Sequence, residues 1–222
     1  MPTEGCDILS VDPESPDQDA IGKAAALIKK GGLVVFPTST FYGLGVRAFD
    51  TDGVERIYQV KERNPQKPLL ILIGCLADLP RLVQSVPATA TRLMEVFWPG
   101  HITLVFQAAA MLPPNLTGHT GKIGIRVAGH PVASALVKAV GSPITGTSAN
   151  LSGKGGCSAV SDLHHKIMDQ VDLVLDAGRL GGRKGSTVVD VTVAPPKIIR
   201  EGVISNEKIS PLLGGLANDC SL

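Results

Sequence analysis

Between Gly31-Gly32 and Pro37 lie Leu33-Val34-Val35-Phe36, four apolar residues with no polar position among them. A strand without a polar face is buried on both sides, so other layers must cover it above and below. The residues before it predict a helix. Ser15 stands as N-cap, Pro16 at the first helical position and Gln18 three residues after the Ser, a capping box. Ile21, Ala24, Ala25 and Ile28 recur at helical spacing, and Gly31-Gly32 supplies the stop. A helix therefore delivers the chain into an internal strand, and Pro37 releases it into a polar segment at the strand's exit.

The same punctuation continues downstream. Strands are expected at Leu69–Ile73, Ile102–Phe106, Ile123–Val127, Pro143–Thr147, Leu173–Leu175, Thr187–Val191 and Lys197–Arg200. Helical spacing falls at about 52 to 61, 76 to 84, 89 to 97, 131 to 140 and 158 to 170. Nothing helical separates the strands at 102 and 123, so that pair is expected to be antiparallel. The fold class is α/β: one domain over residues 1–222, a twisted mixed parallel and antiparallel sheet with flanking helices. A length of 222 residues and a 44% hydrophobic content supply the core such a domain needs.

Charge narrows the functions. The net charge is +1, which leaves no bulk field for holding nucleic acid, so any polyanion must meet a local cluster of Lys and Arg. Cys6, Cys75, Cys157 and Cys220 are scattered, without C-x-x-C or a His at zinc spacing, and read as reduced thiols of a cytoplasmic protein. Apolar runs such as Leu69–Ile73 are too short to span a bilayer, and the first ten residues lack the pattern of a secretory signal; no membrane is expected.

Six segments carry chemistry. Thr38-Ser39-Thr40-Phe41-Tyr42-Gly43-Leu44-Gly45 gathers hydroxyls, a phenol and glycines where α/β folds place ligands, although a plain corner would look similar. Within it, Gly43 to Ala48 matches G-x-G-x-x-A, but no helix is expected to start there and no acidic residue follows at the required distance. Lys61-Glu62-Arg63 with Lys67 can hold a polyphosphate or simply answer a helix dipole. Arg126 interrupts an apolar strand and should face a carboxylate, either internal or on a ligand. Thr147-Ser148-Ala149-Asn150 offers a hydroxyl and an amide two residues apart. Ser186 and Arg200 stand at further strand ends. No segment has the Walker A order, so ATP, if bound, is held without a P-loop.

Taken in order, PTSTFYGLG, KER with KPL, WPG with ITLVF, IGIRV with HP, TSANLSG, STVVD and IIREG resemble the YrdC/TsaC family of threonylcarbamoyl-AMP synthases over about residues 20 to 205. The resemblance implies a YrdC-like sheet around a large concave basic cavity. It implies the joining of ATP, L-threonine and bicarbonate, with Mg2+ on the ATP, into threonylcarbamoyl-AMP and pyrophosphate for the t6A modification of tRNA. By position it implies catalytic roles for Lys61, Arg63, Ser148 and Asn150, and ATP contacts for Arg63, Lys67, Ser148, Asn150 and Arg200. It places Thr40, Arg126 and Ser186 on threonine, with Thr38 and Tyr42 lining the same loop. Transfer-enzyme partners in tRNA modification and weak RNA or tRNA binding also follow from it. Two positions depart: Leu72 stands where some members have His near threonine, and Gly156 where some have a Ser that reaches ATP. The chain ends soon after the matched region, as in the short form. Two other readings remain: a non-catalytic module for double-stranded RNA or tRNA, and a nucleotide-binding regulator.

Overall fold

The computed structural model of the chain describes residues 6–182 and 184–213, so Cys220 lies outside the described residues. The strands are β1 (Asp7–Ser10), β2 (Val34–Pro37), β3 (Tyr42–Gly45), β4 (Leu70–Ile73), β5 (Ile102–Gln107), β6 (Lys122–Val127), β7 (Ile144–Thr145), β8 (Thr147–Ser148), β9 (Leu173–Asp176), β10 (Thr187–Asp190) and β11 (Lys197–Arg200). The helices are α1 (Gln18–Lys29), α2 (Thr51–Val60), α3 (Ala88–Phe97), α4 (Pro131–Val140), α5 (His165–Met168) and α6 (Asn206–Leu213). Among the described residues, no helix is long and apolar enough to cross a membrane.

The mixed α/β class is found, but the strands divide between two sheets. One runs β1-β9-β2-β3-β8 and the other β11-β10-β5-β6-β4-β7. β2 is internal, parallel to β9 on one edge and antiparallel to β3 on the other, as its apolar sequence requires. β5 and β6 are antiparallel, as expected from their direct connection. The segment expected as one strand over Pro143–Thr147 is split at Gly146, where the chain leaves the second sheet as β7 and enters the first as β8. A Cβ at Gly146 would lie 2.7 Å from Leu72 Cγ, so the crossing needs glycine.

Buried side chains form two clusters. The larger runs through Leu44, Ile71, Leu104, Ile125 and Val189 and draws on both sheets. The smaller is built by the buried faces of α1 and α4, where Ile21, Ala24 and Ile28 meet Val132 and Leu136 over Val34 and Phe36 of β2. Each fully buried aliphatic side chain contributes about 1.5–3 kcal/mol. The helix face read from the sequence is thus the one that covers β2.

Several boundaries move for local reasons. Asp17, rather than Ser15, caps α1: its Oδ1 accepts from Ala20 N at 2.9 Å, and a carboxylate also suits the positive end of the helix dipole. The Thr38–Gly45 segment does not stay a loop, because Tyr42–Gly45 turns back as β3 against β2. Glycine hid this strand, yet Gly45 is required in it, since a Cβ there would sit 2.7 Å from Phe36 Cε1. The helices expected over 76 to 84 and 158 to 170 shrink to 3-10 turns at Leu76–Arg81 and Val160–Asp162 plus the single turn of α5. β1 and α6 were not legible in the pattern. Cys6, Cys75 and Cys157 are free thiols.

Candidate active site

A cavity of about 740 Å³ opens between the two sheets. Its floor comes from alternation along neighbouring strands. On β6, Lys122, Gly124 and Arg126 line the cavity while Ile123 and Ile125 enter the core. Thr103 and Val105 of β5 and Val188 and Asp190 of β10 continue the floor, with Ser186 just before β10. Thr38, Thr40, Phe41 and Tyr42 at the β2–β3 turn and Ser148 on β8 form the facing wall.

Three guanidinium groups dominate the electrostatics. Arg63 donates from Nη2 to Pro68 O at 2.9 Å. Arg200 donates from Nη2 to Ser186 O at 2.8 Å, and Ser186 Oγ lies 3.1 Å from Thr103 Oγ1. Arg126 is 4% exposed, and no oxygen among the described residues accepts a hydrogen bond from its side chain. Among the described residues no carboxylate pairs with any of the three. Burial lowers the pKa of each, and Arg126 is brought down to about 10 by burial first and the charge of Arg200 second. Arg200 also acts on Arg63, so the three cations share one field. The internal carboxylate that was one option for Arg126 is absent among the described residues, which leaves its charge available to a ligand anion.

The expected site residues separate into two groups. Thr38, Thr40, Tyr42, Arg63, Arg126, Ser148, Ser186 and Arg200 line the cavity; Lys61, Lys67 and Asn150 do not. Lys61 is 2% exposed, and its Nζ donates to Ser148 O and, at 2.7 Å, to Asn150 O. It braces the segment that presents Ser148 from behind. Glu62, in the left-handed region at φ 49°, turns the chain after α2, so Lys61 enters the interior while Arg63 reaches the cavity. Burial, with the charge of Arg63 second, brings the Lys61 ammonium down to about 7. Lys67 is exposed, and its carbonyl accepts from Arg63 Nε at 3.3 Å. Asn150 donates from Nδ2 to Leu151 O and Lys154 O at 2.8 and 2.7 Å, fixing the next loop, and its buried Oδ1 has no partner among the described residues.

Tyr42 also serves the frame. Its hydroxyl donates to Gly178 O at 2.7 Å and accepts from Ala177 N at 3.0 Å, tying the exit of β9 to the wall, and burial raises its pKa. Thr38 Oγ1 donates to Phe41 O at 2.7 Å and holds the turn that presents Thr40. Gly182 packs on that turn so closely that a Cβ there would be 1.7 Å from Thr40 O. Of the two departures, Leu72 pairs in register with Arg126 but is wholly buried, and Gly156 is covered by the ring of Phe41.

Sequence reasoning missed Lys122, Lys154, Lys184, Thr103, Asp190 and Glu201 on the lining. Counting in twos from Arg126 would have found Lys122. Lys122 and Asp190 pair at 2.9 Å, so Lys122 adds no free charge to the field of the three arginines.

Among the described residues, the α/β frame sets three guanidiniums without carboxylate partners on one open cavity, an arrangement chemically suited to small anionic ligands. The model of the Sua5/YciO/YrdC family, described as telomere recombination, matches residues 26–202, and the chain belongs to this family. A threonylcarbamoyl-AMP synthase of Bacillus subtilis is 35% identical over 212 residues, 95% of this chain and 61% of that protein. The crystal structure of Pyrococcus abyssi Sua5 complexed with L-threonine matches with a TM-score of 0.87 at 34% identity, over 93% of this chain and 61% of that one. Escherichia coli YciO matches with a TM-score of 0.84 at 30% identity, over 92% of this chain and 99% of that one. The chain thus spans less than two thirds of the first two proteins and nearly all of the third.

Proposed function

We propose that this chain is a threonylcarbamoyl-AMP synthase. The observation that carries the reading is Arg126, a buried cation on the cavity floor with no internal acceptor among the described residues, beside Arg63 and Arg200. A buried charge of this kind is held for a ligand anion, and a planar guanidinium matches a carboxylate through two parallel hydrogen bonds. The similarity to the Bacillus subtilis synthase and to Sua5 complexed with L-threonine supports the same ligands here.

In the proposed reaction the threonine amine attacks the carbon of bicarbonate and water leaves, giving a carbamate. A carbamate oxygen then attacks the α-phosphorus of ATP, which enters with its Mg2+, and pyrophosphate departs with the electron pair of the broken P–O bond. Arg126 holds the threonine carboxylate, with Thr40 and Ser186 beside it. Arg63, Arg200 and the Ser148 hydroxyl face the phosphates, while Lys61, Asn150 and Tyr42 hold the walls in place. No protein nucleophile is needed, because the gain comes from positioning and from fixed donors aimed at developing charge. The product serves the t6A modification of tRNA, handed to a transfer enzyme.

The test is mass spectrometry for threonylcarbamoyl-AMP after incubation with ATP, L-threonine, bicarbonate and Mg2+, with pyrophosphate measured in parallel. Product that requires all three substrates supports the synthase. Tight RNA binding at physiological salt with no pyrophosphate released would replace it with the module for double-stranded RNA or tRNA.

A further inference from the structure

Two aromatic side chains line the cavity among the described residues, Phe41 and Tyr42. Tyr42 is wholly buried and its hydroxyl is committed to the β9 exit. Phe41 is half-buried, and its ring has a defined backing. A Cβ built on Gly156 would lie 2.4 Å from Phe41 Cδ2, 2.5 Å from Cγ and 2.9 Å from Cε2. An approach within the ring plane would leave both flanking atoms much farther away than Cδ2. The near-equal distances therefore place Gly156 over the ring face, and only a residue without a side chain can sit there. One face of the ring rests on Gly156, and Phe41 is a lining residue of the cavity, which leaves the opposite face as the one a ligand would meet.

The chemistry of this corner differs from that of the three arginines, which take up the anionic parts of the ligands. A phenyl face offers dispersion and a negative quadrupole surface, and it suits a flat, weakly hydrated partner. Of ATP, threonine and bicarbonate, only ATP has such a part.

We propose that Phe41, backed by Gly156, is the face on which the nucleobase of the nucleotide stacks. The proposal rests on ATP being a substrate. It makes Phe41 a residue that sets affinity for nucleosides over bare polyphosphate, with little choice among bases, because every base has a π face.

Titration calorimetry of Mg2+-ATP, Mg2+-GTP and inorganic tripolyphosphate separates base from phosphate contacts. Phe41→Leu keeps the apolar bulk and removes the ring; it is expected to weaken ATP and GTP alike by 5- to 150-fold, on the order expected for one stacked base. Tripolyphosphate affinity should stay within about twofold, and Phe41→Trp should hold ATP at least as well as the wild type. Gly156→Ala, which drives the ring off its backing, should also lower ATP affinity selectively. Unchanged ATP affinity in Phe41→Leu, or an equal loss for ATP and tripolyphosphate, would overturn the proposal. A wild type that makes no threonylcarbamoyl-AMP but whose Phe41→Leu variant loses ATP selectively would remove the synthase reading and leave the stacking face. A wild type that makes the product while Phe41→Leu keeps full ATP affinity would do the reverse.

Discussion

Replacing Arg126 by Met is expected to stabilise the ligand-free protein and to abolish its response to threonine. The magnitude follows from the buried charge. Burial, reinforced by Arg200, draws the Arg126 pKa down from the usual guanidinium range to about 10. At about 1.4 kcal/mol per pH unit, keeping this group charged in the folded state costs roughly 3 kcal/mol. A cation whose pKa is lower folded than unfolded carries its full cost below the folded value, and the cost fades as pH rises from about 10 toward the ordinary guanidinium value. All of it is therefore present at pH 7. Met retains an apolar stem at a 4% exposed position, so most packing survives the change. A net gain of about 2 kcal/mol would raise Tm by roughly 4 to 8 °C for a domain of this size. Thermal unfolding with and without L-threonine is the assay. The wild type should gain about 2.7 kcal/mol at a hundredfold excess over Kd, and the variant nothing. A variant that melts lower than the wild type, or that keeps its threonine shift, would refute both the uncompensated charge and its assignment to the carboxylate.

Three further outcomes test the frame around the site. Lys61, brought down to about 7 by burial, is uncharged when folded but charged when unfolded between about pH 7 and 10, so wild-type stability should rise there by up to about 1.4 kcal/mol per pH unit. Urea unfolding of Lys61→Met across that range should lose the rise, and parallel curves would show a brace that stays charged. Gly182→Ala should cost about 1–3 kcal/mol and weaken threonine binding, because its Cβ would collide with Thr40 O, while Gly181→Ala, with open space around it, should be neutral. Equal melting temperatures for the two variants would remove that contact. Arg63→Ala should weaken ATP by about 1.5–3 kcal/mol in calorimetry and spare threonine; equal losses for both ligands would deny the division of labour among the arginines.

The sequence alone determined what depends on neighbours along the chain. The uniform run before Pro37 demanded an internal strand, and β2 is paired on both edges. The apolar period of α1 named the face that meets α4, and the direct link between β5 and β6 implied their antiparallel pairing. Polar residues at strand ends marked Thr38, Thr40, Ser148 and Ser186 as site candidates, and they line one cavity because those ends converge. Only the tertiary structure decided where the chain changes sheets at Gly146, since that crossing depends on the contact with Leu72. It alone decided that Lys61 turns inward to carbonyls 87 and 89 residues away while Arg63 turns out. A long side chain at a helix end has many directions open to it, and its choice follows from which distant groups must be satisfied when the sheets close. That the Arg126 guanidinium meets no acceptor among the described residues has the same origin. Spacing showed that an arginine would be buried, but whether an internal carboxylate met it depended on strands brought together from across the chain.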